Sequence, residues 1–210
     1  MKAPWPGGHR VRRCARLALP RLGLVPTLAV VAAIGLTTVF AAGASAAVLT
    51  ASPYEYLGWG NPQPPTEVMS ATGLHDVTLA FVLSHKRCNP EWDGQRPLLG
   101  GTDQRAIEQI RAAGGDLAVS FGGWSGRKLG TTCRTASQLA GAYQKVIAAY
   151  SLEAIDIDIE HTELSSKATR LRVAQALAIV QAHDPGLEIS ITMPTGLSGP
   201  GRAESARMSG

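Results

Sequence analysis

Three carboxylates recur at every second position in the segment 154–160, which reads Ala-Ile-Asp-Ile-Asp-Ile-Glu. Successive side chains of a β-strand point to opposite faces, so the alternation predicts a strand with Asp156, Asp158 and Glu160 on one face and isoleucines on the other. Neighbouring carboxylates would lie about 6.6 Å apart along that face. Like charges this close favour a proton on one of them near neutral pH, which is what a general acid requires.

Two other interpretations of this segment are a divalent metal site and a solvated acidic strand. Carboxylate clusters bind Mg²⁺, Mn²⁺ or Ca²⁺, but alternation along one strand spaces three acids too far apart to meet one ion. Aspartate is uncommon in strands, and two within one strand argue against a face that is merely solvated. We therefore expect acid–base chemistry, with no metal and no other cofactor.

The positive charge of the whole chain resides in its first 46 residues. They contain six lysines and arginines and no acid, a net charge of +6. The other 164 residues have 14 lysines and arginines against 16 acids, and 14 − 16 gives −2. Nucleic-acid binding therefore loses its main support, because the remaining domain is not basic.

Residues 1–46 have the organisation of a signal peptide. A basic segment precedes a long apolar run, and Ala44-Ser45-Ala46 fits the small-residue cleavage rule, which predicts cleavage after Ala46. The alternative is an uncleaved membrane anchor, since the apolar run could span about 30 Å of hydrocarbon. We expect a secreted, monomeric protein in which residues 47–210 form the catalytic domain.

The cysteines agree with export. Cys14 lies in the leader, which leaves Cys88 and Cys133 as an even pair in an oxidising compartment. We expect these two residues to form a disulfide; the alternative is two unrelated buried thiols. No histidine pair lies nearby in sequence, so a zinc site is not indicated.

Strand and helix patterns alternate along the rest of the chain. Strands are predicted at 54–60, 77–83, 117–121, 154–160 and 187–193. Helices are predicted at 66–71, from a cap at Thr102 or Asp103 to 113, at 135–150 and at 165–182, with a polar loop over 84–101. This order predicts an α/β fold with a parallel sheet and right-handed crossovers.

Five such strand–helix units are typical of part of a TIM (β/α)₈ barrel, which needs eight units in roughly 250 residues. Residues 196–210 are small and polar, and no sixth strand is predicted there. In a barrel, the acids would face the lumen, and Glu160 would lie at the C-terminal end of its strand, where catalytic groups sit. Cys88 and Cys133 also follow strands, so their disulfide would join two walls of the cleft.

Two motifs give the chain a resemblance to the family 18 glycoside hydrolases, the chitinase group, over Tyr54 to Thr195. Ser120-Phe121-Gly122-Gly123 resembles the family's SxGG on strand three, and the segment from Asp156 to Glu160 resembles the DxDxE core of DxxDxDxE on strand four. Glu153 stands where the family has its leading aspartate. Ala154 stands where glycine is usual.

The resemblance implies a chitinase-type endo-hydrolase that cleaves β-1,4-linked N-acetylglucosamine polymers by a retaining, substrate-assisted mechanism. Glu160 would protonate the glycosidic oxygen and later activate water. Asp158 would hold the N-acetyl group of the substrate while the carbonyl oxygen of that group attacks the anomeric carbon. Asp156 would tune the charge of Asp158, because the two carboxylates form a close like-charge pair.

Substrate contacts are expected from Trp59 and Trp124, which could stack on sugar rings, and from Gly122 and Gly123. Tyr56 is expected to pack in the core. His161 is expected to be an exposed loop residue, with a substrate contact as the alternative.

Two other functional classes are compatible with the sequence. The first is a non-catalytic chitin- or glycan-binding protein on the same fold. The second is a fragment that does not fold, because the loss of three strands leaves open sheet edges and an exposed apolar surface, which predict aggregation. Family members also carry a tyrosine on strand six and often a tryptophan on strand eight. No strand is predicted for either residue here, and this truncation argues for loss of activity.

Overall fold

The structure is a computed structural model that describes residues 51–197 and residue 199. The signal peptide predicted at residues 1–46, its cleavage after Ala46 and Cys14 lie outside the described residues. Within the described part of the chain, no helix is both long enough and apolar enough to cross a bilayer.

Strands and helices alternate through most of the described chain. The strands are β1 (Tyr54–Tyr56), β2 (Asp76–His85), β3 (Asn89–Trp92), β4 (Asp116–Gly122), β5 (Ala154–Asp158) and β6 (Glu188–Thr192). The helices are α1 (Pro65–Thr72), α2 (Thr102–Ala112), α3 (Leu129–Thr132), α4 (Ala136–Tyr150), α5 (His161–Ser165) and α6 (Lys167–His183).

One sheet contains all of these strands, in the order β1-β2-β4-β5-β6, and β3 pairs with β2 outside this path. Every pairing along the path is parallel, whereas β3 is antiparallel to β2. The predicted parallel α/β fold is therefore confirmed. Parallel pairing also brings the carboxyl ends of neighbouring strands to one edge of the sheet, where polar side chains can converge.

The isoleucine face of β5 forms part of the hydrophobic core. Ile155, Ile157 and the following Ile159 are buried and belong to the same cluster as apolar side chains of α4 and α6. This face is therefore sealed by helices, and the acids of the same segment must point to the opposite side of the sheet. The helical contributors are Leu139, Tyr143, Val146, Val173, Ala176 and Val180.

The predicted polar loop over 84–101 instead contains strand β3. Its Trp92 is fully buried, and the indole Nε1 donates a hydrogen bond of 2.9 Å to the Tyr150 hydroxyl. The sequence does not predict this strand because it contains Pro90. A proline is tolerated in an edge strand, since the backbone N–H that it lacks is not needed for pairing with an inner strand. The hairpin of β2 and β3 extends the sheet beyond the carboxyl end of β4.

Two predicted helix starts differ from the structure. Helix α1 begins at Pro65, a position that suits proline because the first-turn N–H groups have no partner within the helix. Helix α2 follows Gly101, and no side chain caps it. Asp103 instead accepts two hydrogen bonds from the Arg96 guanidinium, at 2.9 and 2.8 Å, in a paired arrangement that fixes the segment before the helix.

Candidate active site

Asp156 lies at the centre of a ring of hydroxyl groups. Its Oδ2 accepts hydrogen bonds from Tyr54 at 2.6 Å and Ser120 at 2.7 Å, and its Oδ1 accepts from Ser190 at 2.9 Å and Thr192 at 2.8 Å. Ser120, Asp156 and Ser190 are register partners across three strands, which places them on one face. Four donors compensate the burial of this carboxylate.

Tyr54 is suited to its role as a donor in this ring. Burial raises the pKa of its hydroxyl, and the hydrogen bond to the Asp156 carboxylate raises it further. The phenol therefore keeps its proton at every physiological pH. Its ring also lies 6.0 Å from the ring of Phe81, measured between centroids, which fixes its orientation.

Asp158 is also buried, but it has fewer partners. Burial raises the pKa of Asp158 to about 7, and the nearby carboxylates of Glu160 and Asp156 act in the same direction. Among the described residues, none forms a hydrogen bond with its Oδ1. An acceptor buried without a partner is costly, so this oxygen is prepared to receive a donor from outside the chain.

Glu160 lies past the end of β5 and differs from its neighbours by being only half-buried. The predicted strand reaches residue 160, whereas the structure ends the strand at Asp158. Glu160 precedes α5 with extended backbone, and its carbonyl oxygen accepts the Glu163 N–H at 3.0 Å. This turn places the third carboxylate at the rim of the sheet, where it can meet a bound molecule.

The turn after β4 brings two glycines against the acidic strand. Gly122 pairs with Asp158, and a Cβ on Gly122 would lie 2.2 Å from the Asp158 carbonyl oxygen, which excludes any larger residue. Gly123 donates its N–H to the same carbonyl at 2.9 Å. The SxGG segment therefore positions β5, through Ser120 on Asp156 and through both glycines on the backbone of Asp158.

Exposed aromatic rings border a cleft of about 420 Å³ at the same edge, which we name the aromatic cleft. Trp59 is 82% exposed and Trp124 is 64% exposed, as the expected sugar contacts require. Tyr56 was expected in the core, but it is 39% exposed and lines this cleft. The expectation was wrong because β1 is the edge strand of the sheet. His161 is exposed, and its ring centroid lies 5.0 Å from that of Trp124.

Lys128 holds the loop that carries Trp124. Its side chain is 2% exposed, and Nζ donates to the carbonyl oxygens of Trp124, Ser125 and Gly126 at 2.7, 3.0 and 3.3 Å. Burial lowers the pKa of this lysine, while the surrounding carboxylates act in the opposite direction. The three hydrogen bonds from one buried ammonium group therefore hold the backbone of this loop in place.

Glu163 is a further buried carboxylate close to the acids. Its Oε1 accepts the Gly130 N–H at 2.9 Å. Burial raises the pKa of Glu163 to about 7, although the Gly130 N–H and Lys128 both act to lower it. Within the described chain, no group of three or more histidine, cysteine, aspartate or glutamate side chains is arranged to hold a metal ion.

The predicted disulfide between Cys88 and Cys133 is present, with 4.7 Å between the two Cα atoms. It joins the turn between β2 and β3 to the end of α3. Neither cysteine borders the aromatic cleft. The disulfide instead holds together two segments that lie beside the aromatic cleft, at the same edge of the sheet.

Five residues of the site are not predicted from the sequence. Ser190 and Thr192 alternate along β6 as the acids do along β5, and this alternation was the available signal. Tyr54, Lys128 and Glu163 gave no signal, because their roles depend on neighbours that are far away in the sequence or hidden by burial.

Known proteins with sequence similarity to this chain are chitinases. It is 30% identical over 136 residues to the "Probable bifunctional chitinase/lysozyme" of Escherichia coli strain K12, covering 60% of this chain and 15% of the relative. It is 30% identical over 134 residues to "Endochitinase 11" of Metarhizium anisopliae, covering 60% of this chain and 25% of the relative. A scan against protein families finds no match.

Among solved structures, the catalytic domain of a hyperthermophilic chitinase from Pyrococcus furiosus matches with a TM-score of 0.59 and 32% identity. The match covers 69% of this chain and 46% of that domain, so the chain spans less than half of the solved domain and a smaller part of the curated relatives. The chain is a homologue of chitinases, and over the matched residues it is similar to part of a family 18 chitinase catalytic domain.

Proposed function

We propose that this chain carries the acid–base centre of a secreted chitinase-type glycosidase, which cleaves β-1,4-linked N-acetylglucosamine polymers with retention of configuration. The single observation that carries the proposal is the row of three carboxylates along β5 and just past its end, whose environments differ. Asp156 is compensated by four hydroxyls, Asp158 is buried with one oxygen unpartnered, and Glu160 is accessible at the rim. Each environment suits a different role in the reaction.

Glu160 acts as the general acid and then as the general base. Its proton passes to the glycosidic oxygen as the bond to the anomeric carbon breaks and the leaving sugar departs. The carbonyl oxygen of the substrate's own N-acetyl group bonds to that carbon and forms an oxazolinium ion. Glu160 then takes a proton from water, whose oxygen attacks the anomeric carbon and reopens the ring with retained configuration.

Asp158 orients the N-acetyl group during these steps. Its unpartnered Oδ1 can accept the acetamide N–H, which would satisfy the buried oxygen and direct the amide carbonyl towards the anomeric carbon. The negative charge of the ionised carboxylate then stabilises the positive oxazolinium ion. The negative charge of Asp156, two residues earlier on β5, raises the pKa of Asp158.

The aromatic cleft provides a binding surface for the polymer. Trp59 and Trp124 expose flat apolar rings, which match the apolar faces of pyranose sugars. We also propose that the parallel strands β1, β2, β4, β5 and β6 form part of a (β/α)₈ barrel, which is supported by their sequential order in the sheet. Secretion through the segment 1–46 is supported by the disulfide, since such bonds persist in oxidising compartments.

Hydrolysis of a soluble N-acetylglucosamine hexamer tests the proposal, with a cello-hexaose of the same linkage as the control. We expect the full chain to release β-anomeric products from the first substrate, as followed by proton NMR within seconds of mixing, and nothing from the second. Cleavage of both oligomers, or an α-anomeric product, would contradict the proposed role of the N-acetyl group.

Glycan binding without catalysis is the second candidate, and the exposure of Trp59 and Trp124 favours it because these rings need no acid to hold a sugar. Saturable binding of the hexamer without product release would support this candidate. In that case, Trp124→Ala should abolish binding while Glu160→Gln leaves it intact.

A further inference from the structure

A second cavity, of about 800 Å³, lies around the disulfide and has a different character from the aromatic cleft. We name it the basic cleft. The turn between β2 and β3, helix α3 and the first half of α4 line it. Its cationic lining residues are Lys86, Arg87, Arg127, Arg134 and Lys145.

The charges of the basic cleft are not balanced locally. No carboxylate is among its lining residues, and none of its five cations forms an ion pair within 4.0 Å in the described part of the chain. Lys145 donates to the neutral Asn89 amide at 2.7 Å. Glu91 is close, but it is engaged by Asn89 at 3.0 Å and His85 at 3.4 Å. A concave surface with one sign of charge concentrates oppositely charged solutes.

The frame around these charges is fixed. Cys88 and Cys133 join two of its walls covalently, and the Ser84 N–H donates to the Arg127 carbonyl at 2.8 Å. The third wall is the first half of α4, a helix of 15 residues. The cations therefore surround a preformed cavity.

The neutral residues of the basic cleft indicate which anion fits. Thr131, Thr132 and Gln138 contribute hydroxyl and amide groups, which can bind the hydroxyls of a sugar. No aromatic ring is among the lining residues, so the stacking on which single-stranded nucleic acids depend is not provided here. The combination of cations and small polar groups matches a polysaccharide that carries negative charges.

The two clefts adjoin each other along the chain. Trp124, Ser125 and Gly126 line the aromatic cleft, and the next residue, Arg127, lines the basic cleft. We propose that the basic cleft is a binding site for an anionic polysaccharide bearing carboxylate, sulfate or phosphate groups, separate from the acids Asp156, Asp158 and Glu160. Neutral chitin would gain nothing from these charges, and a deacetylated, cationic chitin would be repelled.

Titration of the full chain with a heparin-derived hexasaccharide tests the site, with the neutral N-acetylglucosamine hexamer as the uncharged comparison. Two matched double variants each remove two positive charges: Arg134→Gln with Lys145→Gln in the cleft, and Arg105→Gln with Lys167→Gln on exposed helical surface elsewhere. We expect the cleft variant to bind heparin oligosaccharide about tenfold more weakly and the surface variant to match the unmodified chain. The basic segment 1–46 is common to all three, so it cancels from the comparison.

Equal weakening by both variants would show that net charge alone attracts the ligand and would overturn the proposal. Equally tight binding of a single-stranded DNA of matched charge would overturn the choice of a polysaccharide. Displacement of the hexasaccharide by inorganic phosphate at equal charge concentration would mean that the site recognises isolated anions only. Glu160→Gln should retain the binding, so failure of the chitinase proposal would leave this result unaffected.

Discussion

Asp158 lies between two other carboxylates of the acidic segment 154–160, and its side chain is nearly excluded from solvent. Burial and the neighbouring charges raise the pKa of Asp158 to about 7. The carboxyl group of Asp158 therefore keeps a proton at pH values where an exposed aspartate has lost it.

Activity should therefore fall as the pH rises through about 7, because Asp158 then loses its proton, which at lower pH is available to the acidic segment for transfer to the leaving oxygen. Initial rates on the soluble hexamer between pH 4 and 9 would measure this. Asp158→Asn should remove this titration and lower kcat by at least about a hundredfold. A rate that stays constant up to pH 9 would contradict the raised pKa of Asp158.

The burial of Glu163 can be tested through the pH dependence of the free energy of unfolding. Burial raises its pKa from the ordinary 4.5 to about 7. As the pH rises between these values, the unfolded chain ionises this group while the folded chain keeps its proton, so the free energy of unfolding falls. Above about 7 the loss is complete, and below 4.5 it is absent.

Glu163→Gln cannot ionise and keeps an acceptor for the Gly130 N–H. Relative to the unmodified chain, its free energy of unfolding should increase by on the order of 3 kcal/mol between pH 4.5 and 7. Urea unfolding of both chains at a series of pH values measures the difference. A difference in the free energy of unfolding that stays constant over this pH range would contradict the burial of Glu163.

At the scale of elements, the loop after β4 depends on one buried lysine. Lys128→Met keeps the apolar stem but leaves the carbonyls of Trp124, Ser125 and Gly126 without their donor. We expect KM for the hexamer to rise about fivefold with little change in kcat, because the loop carries a sugar-stacking ring and not the acids. Exposed Lys167→Met is the matched control, and equal KM values for the two variants would contradict the loop's role.

The long elements were predictable because their patterns are local. Alternation identified β5, a continuous apolar run identified β2, a short and mostly apolar run identified β4, and helical spacing identified α4 and α6. Strand β3 was missed because Asn89-Pro90-Glu91 has no strand pattern, and it forms only by pairing with β2. Helices α3 and α5 were missed because four or five residues are too few to show a helical period.

The candidate site was predictable only in part for a similar reason. The acids were identified from their spacing, and Ser120 entered through its motif. The hydroxyl ring on Asp156 brings together residues from four strands, and Tyr54 is 102 positions away in sequence. The end of β5 at Asp158 also depends on its neighbour, since β6 supplies the last pairing at Thr192.

At the scale of the whole molecule, the disulfide restrains a large part of the chain. Cys88 and Cys133 are separated by 45 residues, which include β3, α2, β4 and α3. Loop-closure entropy at this length predicts that the double variant Cys88→Ala, Cys133→Ala loses about 4 kcal/mol of stability. Chemical denaturation measures the loss, and single variants with a free thiol are the comparison. An unchanged unfolding midpoint would show that the bond is not formed in solution.

The sheet places two surfaces of opposite character next to each other. The acidic segment and the aromatic rings are proposed to bind a neutral amide-bearing sugar, whereas the cations around the disulfide are proposed to bind an anionic one. The segment from Trp124 to Arg127 contributes to both. Together, the two proposals describe a molecule that would cleave one glycan while it is held on another.

Glu160 is the proton donor of the proposed mechanism, and hydrolysis of the soluble N-acetylglucosamine hexamer by Glu160→Gln tests this role directly. Glu153→Gln is the matched control, since Glu153 is exposed and lies just before β5. We expect Glu160→Gln to lose at least about a thousandfold in kcat while hexamer binding persists, and Glu153→Gln to retain full activity. Equal activity of the two variants would contradict the assignment of Glu160.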